Sequence, residues 1–355
     1  AYLLDREGNR IDRRNGQDIF TALYNHQIPP GAADVVHYRL RLPEDAQGPL
    51  RVRVRVLYRK FDTRYLRHIQ GEAFAGNDLP VSLLAEDELV LPVGGAGIAP
   101  ARPSAVPAWE RWNDYGIALL RKGGRGELRQ AEQAVAEVEA LGRGDGALNL
   151  ARVYLREGRL DEAVAALERA LTAEHPAYPW VAAWYAGLIN KQNGFLDEAI
   201  ADFRRVLESD FPEARAREFD FSRDYRVLNE LSQTLLERAK QERGAGRRAA
   251  RQALLGEARD GFLRTLELDP ENLSAHYNLA LIYRLLGDEA SAERHAALHE
   301  RFRPDDNAGD RVIAAHRRRN PAADHAAEAV VIYDLQRPGA FGPGSQTAGR
   351  RRDPG

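Results

Sequence analysis

The chain has 355 residues, 44% of them hydrophobic, and a formal net charge of −2. That leaves room for about two or three domains with cores, and gives no global electrostatic reason to expect nucleic acid or an anionic membrane as partner. Cysteine is absent, which excludes disulfides, thiolate metal sites, cysteine nucleophiles and CxxCH haem attachment within these residues.

No apolar run approaches the ~20 residues that a bilayer span requires. Methionine is also absent, and the opening AYLLDREGNRIDRRNG reads as the middle of a strand-turn-strand. We therefore expect a processed or trimmed piece of a longer polypeptide, from which any signal peptide would be missing.

Residues 1–102 are strand-like. Val35 to Leu42 (VVHYRLRL) and Leu50 to Tyr58 (LRVRVRVLY) alternate apolar and polar residues, the period-two pattern of a half-buried strand. Leu79 to Val93 (LPVSLLAEDELVLPV) reads as two apolar runs around an Ala-Glu-Asp-Glu turn. Together these predict a β-sandwich-like domain. Arg51, Arg53 and Arg55 are read as a solvated sheet face rather than a nucleic-acid patch. Gly94 to Gly97 (GGAG) follows a strand without a following helix and is read as a loop.

A proline-rich hinge at Pro100 to Pro107 (PARPSAVP) marks the boundary, with the linker at 103–108. From Ala108 the apolar spacing becomes three and four, which predicts helices. Within that half Glu157 to Leu171 (EGRLDEAVAALERAL) and Asn193 to Leu207 (NGFLDEAIADFRRVL) are near copies at an offset of 36 residues. A period of that size marks a helical-repeat solenoid.

The residue pattern resembles the tetratricopeptide repeat, with two antiparallel helices, A and B, per repeat. One repeat supplies Ala151, Tyr154, Gly158, Ala163, Leu167 and Ala170 before Pro176; the next supplies Gly187, Gly194, Ala199, Phe203 and Val206 before Pro212. The last supplies Ala280, Tyr283, Gly287 and Ala292 before Pro304. Ala258, Phe262 and Asp269-Pro270 belong to a further copy with a long first helix (about Tyr225 to Glu242) and a basic insertion at Arg243 to Gln252. An opening copy holds Trp112, Tyr115, Gly116, Ala131 and Val135 if its turn is lengthened.

The expected fold is thus α+β and multidomain: an N-terminal β-sandwich-like domain followed by an all-α solenoid. About five repeats occupy 109–304, and a capping helix near Asp306 to Arg319 carries the helical domain to 320. Residues 321–355 form a C-terminal extension and a Gly/Pro/Arg tail.

No catalytic signature such as GxSxG, GxxxxGK[ST] or HExxH occurs. His295 and His299 are four residues apart on a helix and could share a face to bind a metal, but His299 falls at a repeat packing position and no third ligand is in view. The acidic pairs Asp161-Glu162 and Asp197-Glu198 complement helix N-termini. His26, His37 and His68 lie in the β half, as turn or strand-face residues on the plain reading.

What the repeats offer instead is a groove lined by helix A side chains: Asn149, Arg152, Arg156, Trp184, Tyr185, Lys191, Tyr277, Asn278 and Arg284. Aromatic, Asn and Arg residues suit an extended peptide or a docked protein surface. The alternative for this mixture is a merely solvated face.

Beyond the repeats, the stretches 15–43, 57–66, 77–93 and 321–336 resemble the C-terminal portion of bacterial multihaem c-type cytochromes that carry tetratricopeptide repeats. The resemblance implies a periplasmic or extracellular electron-transfer protein whose haem c is attached to an N-terminal region or a partner, since this chain attaches none. It also implies that His26, His37 and His68 are candidate distal haem ligands. The expected partner is a protein, in that case a haem-bearing domain or cytochrome, with no nucleic acid and no membrane span. The readings kept beside it are a stand-alone repeat assembly protein with no redox role, and a hydrolase or transferase with an unrecognised site.

Overall fold

The computed structural model describes residues 2–25, 27–29, 31–38, 42–93, 104–122 and 125–327. It divides into two compact units, one formed by Ala1–Ala108 with Asp305–Gly355 and the other by Trp109–Pro304.

In the first unit, β1 (Tyr2–Leu4) pairs antiparallel with β2 (Thr21–Tyr24), and β3 (Leu50–Tyr58) pairs antiparallel with β4 (Ser82–Leu91). Helix α1 (Thr63–Gln70) lies between β3 and β4 in sequence and is started by Asp62, whose carboxylate accepts from the Tyr65 amide. These are two separate two-stranded sheets, so a β-sandwich is not what the described residues form.

The turn expected within Leu79 to Val93 is absent, because β4 runs unbroken through Glu86, Asp87 and Glu88. The reason is cross-strand charge pairing. Register places Arg53 opposite Glu88 and Arg55 opposite Glu86, and Arg53 donates to Glu88 at 3.1 and 3.2 Å. The arginines of β3 therefore face acids of the same hairpin. Val35 to Tyr38, expected as part of a strand, are irregular, and 39–41 lie outside the described residues. So do the GGAG loop, the first half of the proline-rich hinge, and the tail from 328.

The second unit is a run of helix pairs: α2 (Ala108–Lys122) with α3 (Arg125–Ala140), α4 (Gly144–Glu157) with α5 (Leu160–Thr172), and α6 (Pro179–Asn193) with α7 (Leu196–Glu208). After a short α8 (Pro212–Ala216) come α9 (Tyr225–Gln241) with α10 (Arg248–Leu268), and α11 (Leu273–Leu286) with α12 (Glu289–Phe302). The second half of the basic insertion, from Arg248, extends α10 at its N-terminus, and Ala245–Arg247 before it form a 3-10 turn.

Gly158, Gly194 and Gly287 end α4, α6 and α11 in the left-handed conformation, which turns the chain sharply into the second helix. Close helix approach explains other small residues. A Cβ on Gly187 would stand 2.6 Å from the Phe203 ring. Phe203, Leu235, Phe262, Leu279 and Ile282 fill one continuous core across the later repeats, while Val135, Ala151, Leu167 and Ile189 fill another across the earlier ones.

Helix α13 (Asp306–Arg319), expected to cap the solenoid, belongs to the first unit. Its buried His316 sits at 2.8 Å (Nδ1) from the Gly8 carbonyl and 3.1 Å (Nε2) from the Tyr2 hydroxyl. Gly309 faces Thr21 of β2. A helix with so mean an apolar supply is held here by hydrogen bonds rather than by a greasy stripe. Helix α14 (Pro321–Ala327) follows it.

Candidate functional site

The first helices α4, α6 and α11 carry the predicted groove residues, and the structure shows what holds them. Asn149 is buried, and its amide donates to Asn113 Oδ1 at 2.8 Å, one repeat earlier. Arg152 donates to Asn149 Oδ1 at 2.8 Å, and its guanidinium lies 5.6 Å from the Tyr185 ring. Arg156, one turn further along α4, donates to the Leu120 carbonyl of α2. Lys191 on α6 donates to Glu230 at 2.9 Å and Gln233 at 3.0 Å on α9.

These side chains therefore stitch successive first helices together. The 36-residue repeat brings like positions of neighbouring repeats within reach of one another, which is why Asn113 meets Asn149.

Four predicted residues have other surroundings. Trp184 packs on the core with its ring 5.6 Å from Phe203. Asn278 is buried and returns its amide to the Ser274 carbonyl of its own helix at 2.9 Å. Tyr277 and Arg284 on α11 are exposed, Tyr277 at 51% and Arg284 with a loose ion pair to Glu289 at 3.7 Å. Of the nine, Arg156, Tyr277 and Arg284 thus present the most surface to a partner.

The acidic pairs do structural work of two kinds. Besides opening α5 and α7, Glu162 accepts from Arg159 at 3.0 Å and Asp197 from Arg238 at 2.8 Å. Arg159 also reaches Glu132 and Glu157, each at 3.1 Å, so one guanidinium ties α3, the α4–α5 turn and α5 together.

The histidines separate clearly. His295 and His299 do not converge: His299 Nδ1 contacts the Leu273 carbonyl at 3.2 Å, and His295 instead meets His276, Nδ1 to Nδ1, at 3.0 Å. The His276 Nε2 lies 2.9 Å from the Pro270 carbonyl, which can only accept, so that nitrogen carries the proton. His276 Nδ1 must then accept from the Nδ1–H of His295. The Nε2 of His295 is buried and has no hydrogen-bond partner. Burial, with the charges of His276 and Arg294, pushes the His295 pKa down to about 4. The pair is a buried packing contact between α11 and α12.

His37 is half-buried in irregular chain and His68 is exposed on α1, while His26 lies outside the described residues. Among the described residues no group of three or more His, Asp or Glu side chains is arranged to hold a metal ion. A c-type haem is fixed by cysteine thioethers, and these 355 residues hold no cysteine.

Sequence reasoning missed an aromatic cluster between α7 and α9. Tyr178 and Trp180 stack at 4.5 Å, and Phe211 and Phe221 lie 5.7 and 6.1 Å from Trp180. The signal was present as three phenylalanines among acids and arginines in FPEARAREFDFSRD, a stretch that the repeat pattern does not use.

The tetratricopeptide repeat model matches residues 145–174 and 262–294, the first of which spans α4 and α5. Among solved structures, MamA from AMB-1 aligns at 22% identity over 55% of this chain and 99% of its own, with a TM-score of 0.40. MamA 41-end from Desulfovibrio magneticus RS-1 aligns at 13% identity over 56% and 97%, with a TM-score of 0.42. No curated protein matches the chain. The second unit carries tetratricopeptide repeats, and such repeats support a protein-interaction scaffold with protein partners. No helix among the described residues is long and apolar enough to cross a membrane.

Proposed function

We propose that this chain docks a protein partner on the first-helix face of its repeats, with Arg156, Tyr277 and Arg284 as the contacts that a partner meets. The observation behind this reading is the stitching of that face. Asn113, Asn149, Arg152 and Tyr185 fix one another across the repeats, so the face is preorganised and little side-chain entropy remains to be lost on binding. Photo-crosslinking from position 281 of α11 in the full chain, with the Arg156→Ala/Tyr277→Ala/Arg284→Ala variant carrying the same crosslinker as comparison, tests it. We expect one protein adduct that disappears in the triple variant while its helical circular dichroism is unchanged. An adduct of equal yield in the variant removes the reading.

The finer proposal is that the partner, or a region preceding Ala1, bears c-type haem, and that the complex transfers electrons in the periplasm or outside the cell. The resemblance of 15–43, 57–66, 77–93 and 321–336 supports it. In that setting His68, being exposed on α1, is the best placed described histidine to offer an axial nitrogen. The coding sequence upstream of Ala1 is the test. CxxCH codons in frame support the proposal, and a start codon immediately before Ala1 with no cytochrome gene beside it ends it.

A further inference from the structure

The segment joining α7 to α9 departs from the repeat pattern, and its surface has a chemistry of its own. Phe219 is 50% exposed and stacks on Phe221 with ring centroids 5.9 Å apart. Phe211 and Phe221 are backed by Trp180, which is buried, so the ring positions are set by the core beneath.

Beside these rings opens a cavity of about 290 Å³ lined by Phe211, Phe219 and Phe221 together with Glu208, Asp210 and Asp220. Arg215 is the cation in that lining, paired to Asp210 at 3.0 Å. Three carboxylates against one guanidinium leave the cavity negative. Asp220 accepts from the amide and hydroxyl of Ser222, while the Glu208 side chain makes no hydrogen bond or ion pair among the described residues.

The same aromatic edge already holds one cation. The Arg217 guanidinium lies 5.5 Å from the Phe219 ring and 5.3 Å from the Tyr178 ring. Ring faces carry negative potential and attract cations, and a nearby carboxylate adds a directional acceptor. Guanidinium suits such a site better than ammonium, because it is flat enough to stack and forked enough to meet a carboxylate with two N–H groups.

We propose that this cavity binds an arginine side chain from a basic segment of a partner protein, on a surface separate from the first-helix face. Glu208 is the acceptor, Phe219 the stacking wall, and Arg215 an internal competitor for the same carboxylates.

Fluorescence anisotropy with the full chain and a labelled arginine-bearing Gly-Ser peptide tests this, the probe's counterpart having citrulline at each arginine. The arginine peptide should bind and the citrulline peptide should not. Glu208→Gln and Phe219→Ala should each weaken binding about threefold, the scale of one exposed cation–π or ionic contact. Arg215→Gln should tighten it, and Arg156→Ala/Tyr277→Ala/Arg284→Ala should leave it unchanged, which separates this surface from the first-helix face. Equal binding of the citrulline peptide, no binding of either, or a dissociation constant unmoved by both Glu208→Gln and Phe219→Ala would overturn the proposal. Glu208 is at the exposed end of α7, so its variant keeps the test open if Phe219→Ala fails to fold.

Discussion

The two units stabilise themselves by different physics. In the solenoid, fully buried Phe203, Phe262, Leu235, Leu279 and Ile282 join repeat to repeat in one core. In the first unit the buried apolar side chains among the described residues are Leu4, Leu66 and Ala323. The rest is hydrogen bonds such as His316 to Gly8 and Tyr2, and cross-strand charge. An isolated two-stranded hairpin is at best marginally stable in water, and β3–β4 exposes Val54, Val56 and Leu83 by about half each. Local helical contacts close a core within some tens of residues, whereas strands depend on partners far away in sequence.

Core substitutions test that contrast most severely. Phe203→Ala should cost about 3–5 kcal/mol, the range for emptying a fully buried aromatic site, as measured by denaturant unfolding followed through helical circular dichroism. Leu4→Ala should cost clearly less. Equal losses would mean that the first unit has a core of its own, and the contrast would fail.

Acid should act on the solenoid through its last repeat. The folded-state pKa of His295 is about 4 against an ordinary 6.5. Between those values the unfolded chain binds a proton that the folded chain excludes. Stability is therefore complete above about pH 6.5 and declines as pH falls toward 4, by on the order of 3 kcal/mol for this one group. Unfolding curves across that window should show the decline, and His295→Gln should flatten it. A slope unchanged in the variant would assign the acid sensitivity to other groups.

Gly187→Ala comes next, at about 1–3 kcal/mol, because its Cβ would enter the Phe203 ring. Combined with Phe203→Leu the penalty should shrink, since the two positions share one space. Strict additivity in the double-variant cycle would show that the crowding lies elsewhere.

The same contrast explains what the sequence reveals. The glycines at 158, 194 and 287, the small residues at 151, 187 and 280, and the 36-residue offset all act within a repeat or between neighbours. They are legible because the period itself supplies the partner. The β half is not legible in this way. Alternation in Leu50 to Tyr58 correctly predicts β3, but nothing local says that Leu79 to Val93 forms one strand rather than two. The partner that keeps it extended is the arginine row some 35 residues earlier.

The place of helix α13 is hidden from local sequence for the same reason, since its partners Gly8 and Tyr2 are 308 and 314 residues away from His316. At the candidate face, residue type predicted which side chains lie on first helices but not which are already occupied. Arg152 and Lys191 read as free groups for a partner, yet Arg152 is held by Asn149 of its own helix and lies by the Tyr185 ring of the next repeat, and Lys191 is held by Glu230 of α9. Occupancy of that kind is a property of the stacked array and is absent from any single repeat.

The smallest effect should come from the charge ladder of the hairpin. Glu88 accepts from Arg53 and Arg51, and the Arg53 hydrogen bond leads in holding its carboxyl below the usual range. The arginines are more than half exposed, so water and salt screen most of the attraction. Glu88→Gln should speed amide exchange in β3 and β4 at low ionic strength and leave α4 and α6 untouched, with the difference shrinking as salt is raised. Faster exchange that is indifferent to salt would point to lost packing rather than lost charge. The hairpin would then be held by its apolar side chains after all, and the division between a charge-held unit and a core-held unit would have to be redrawn.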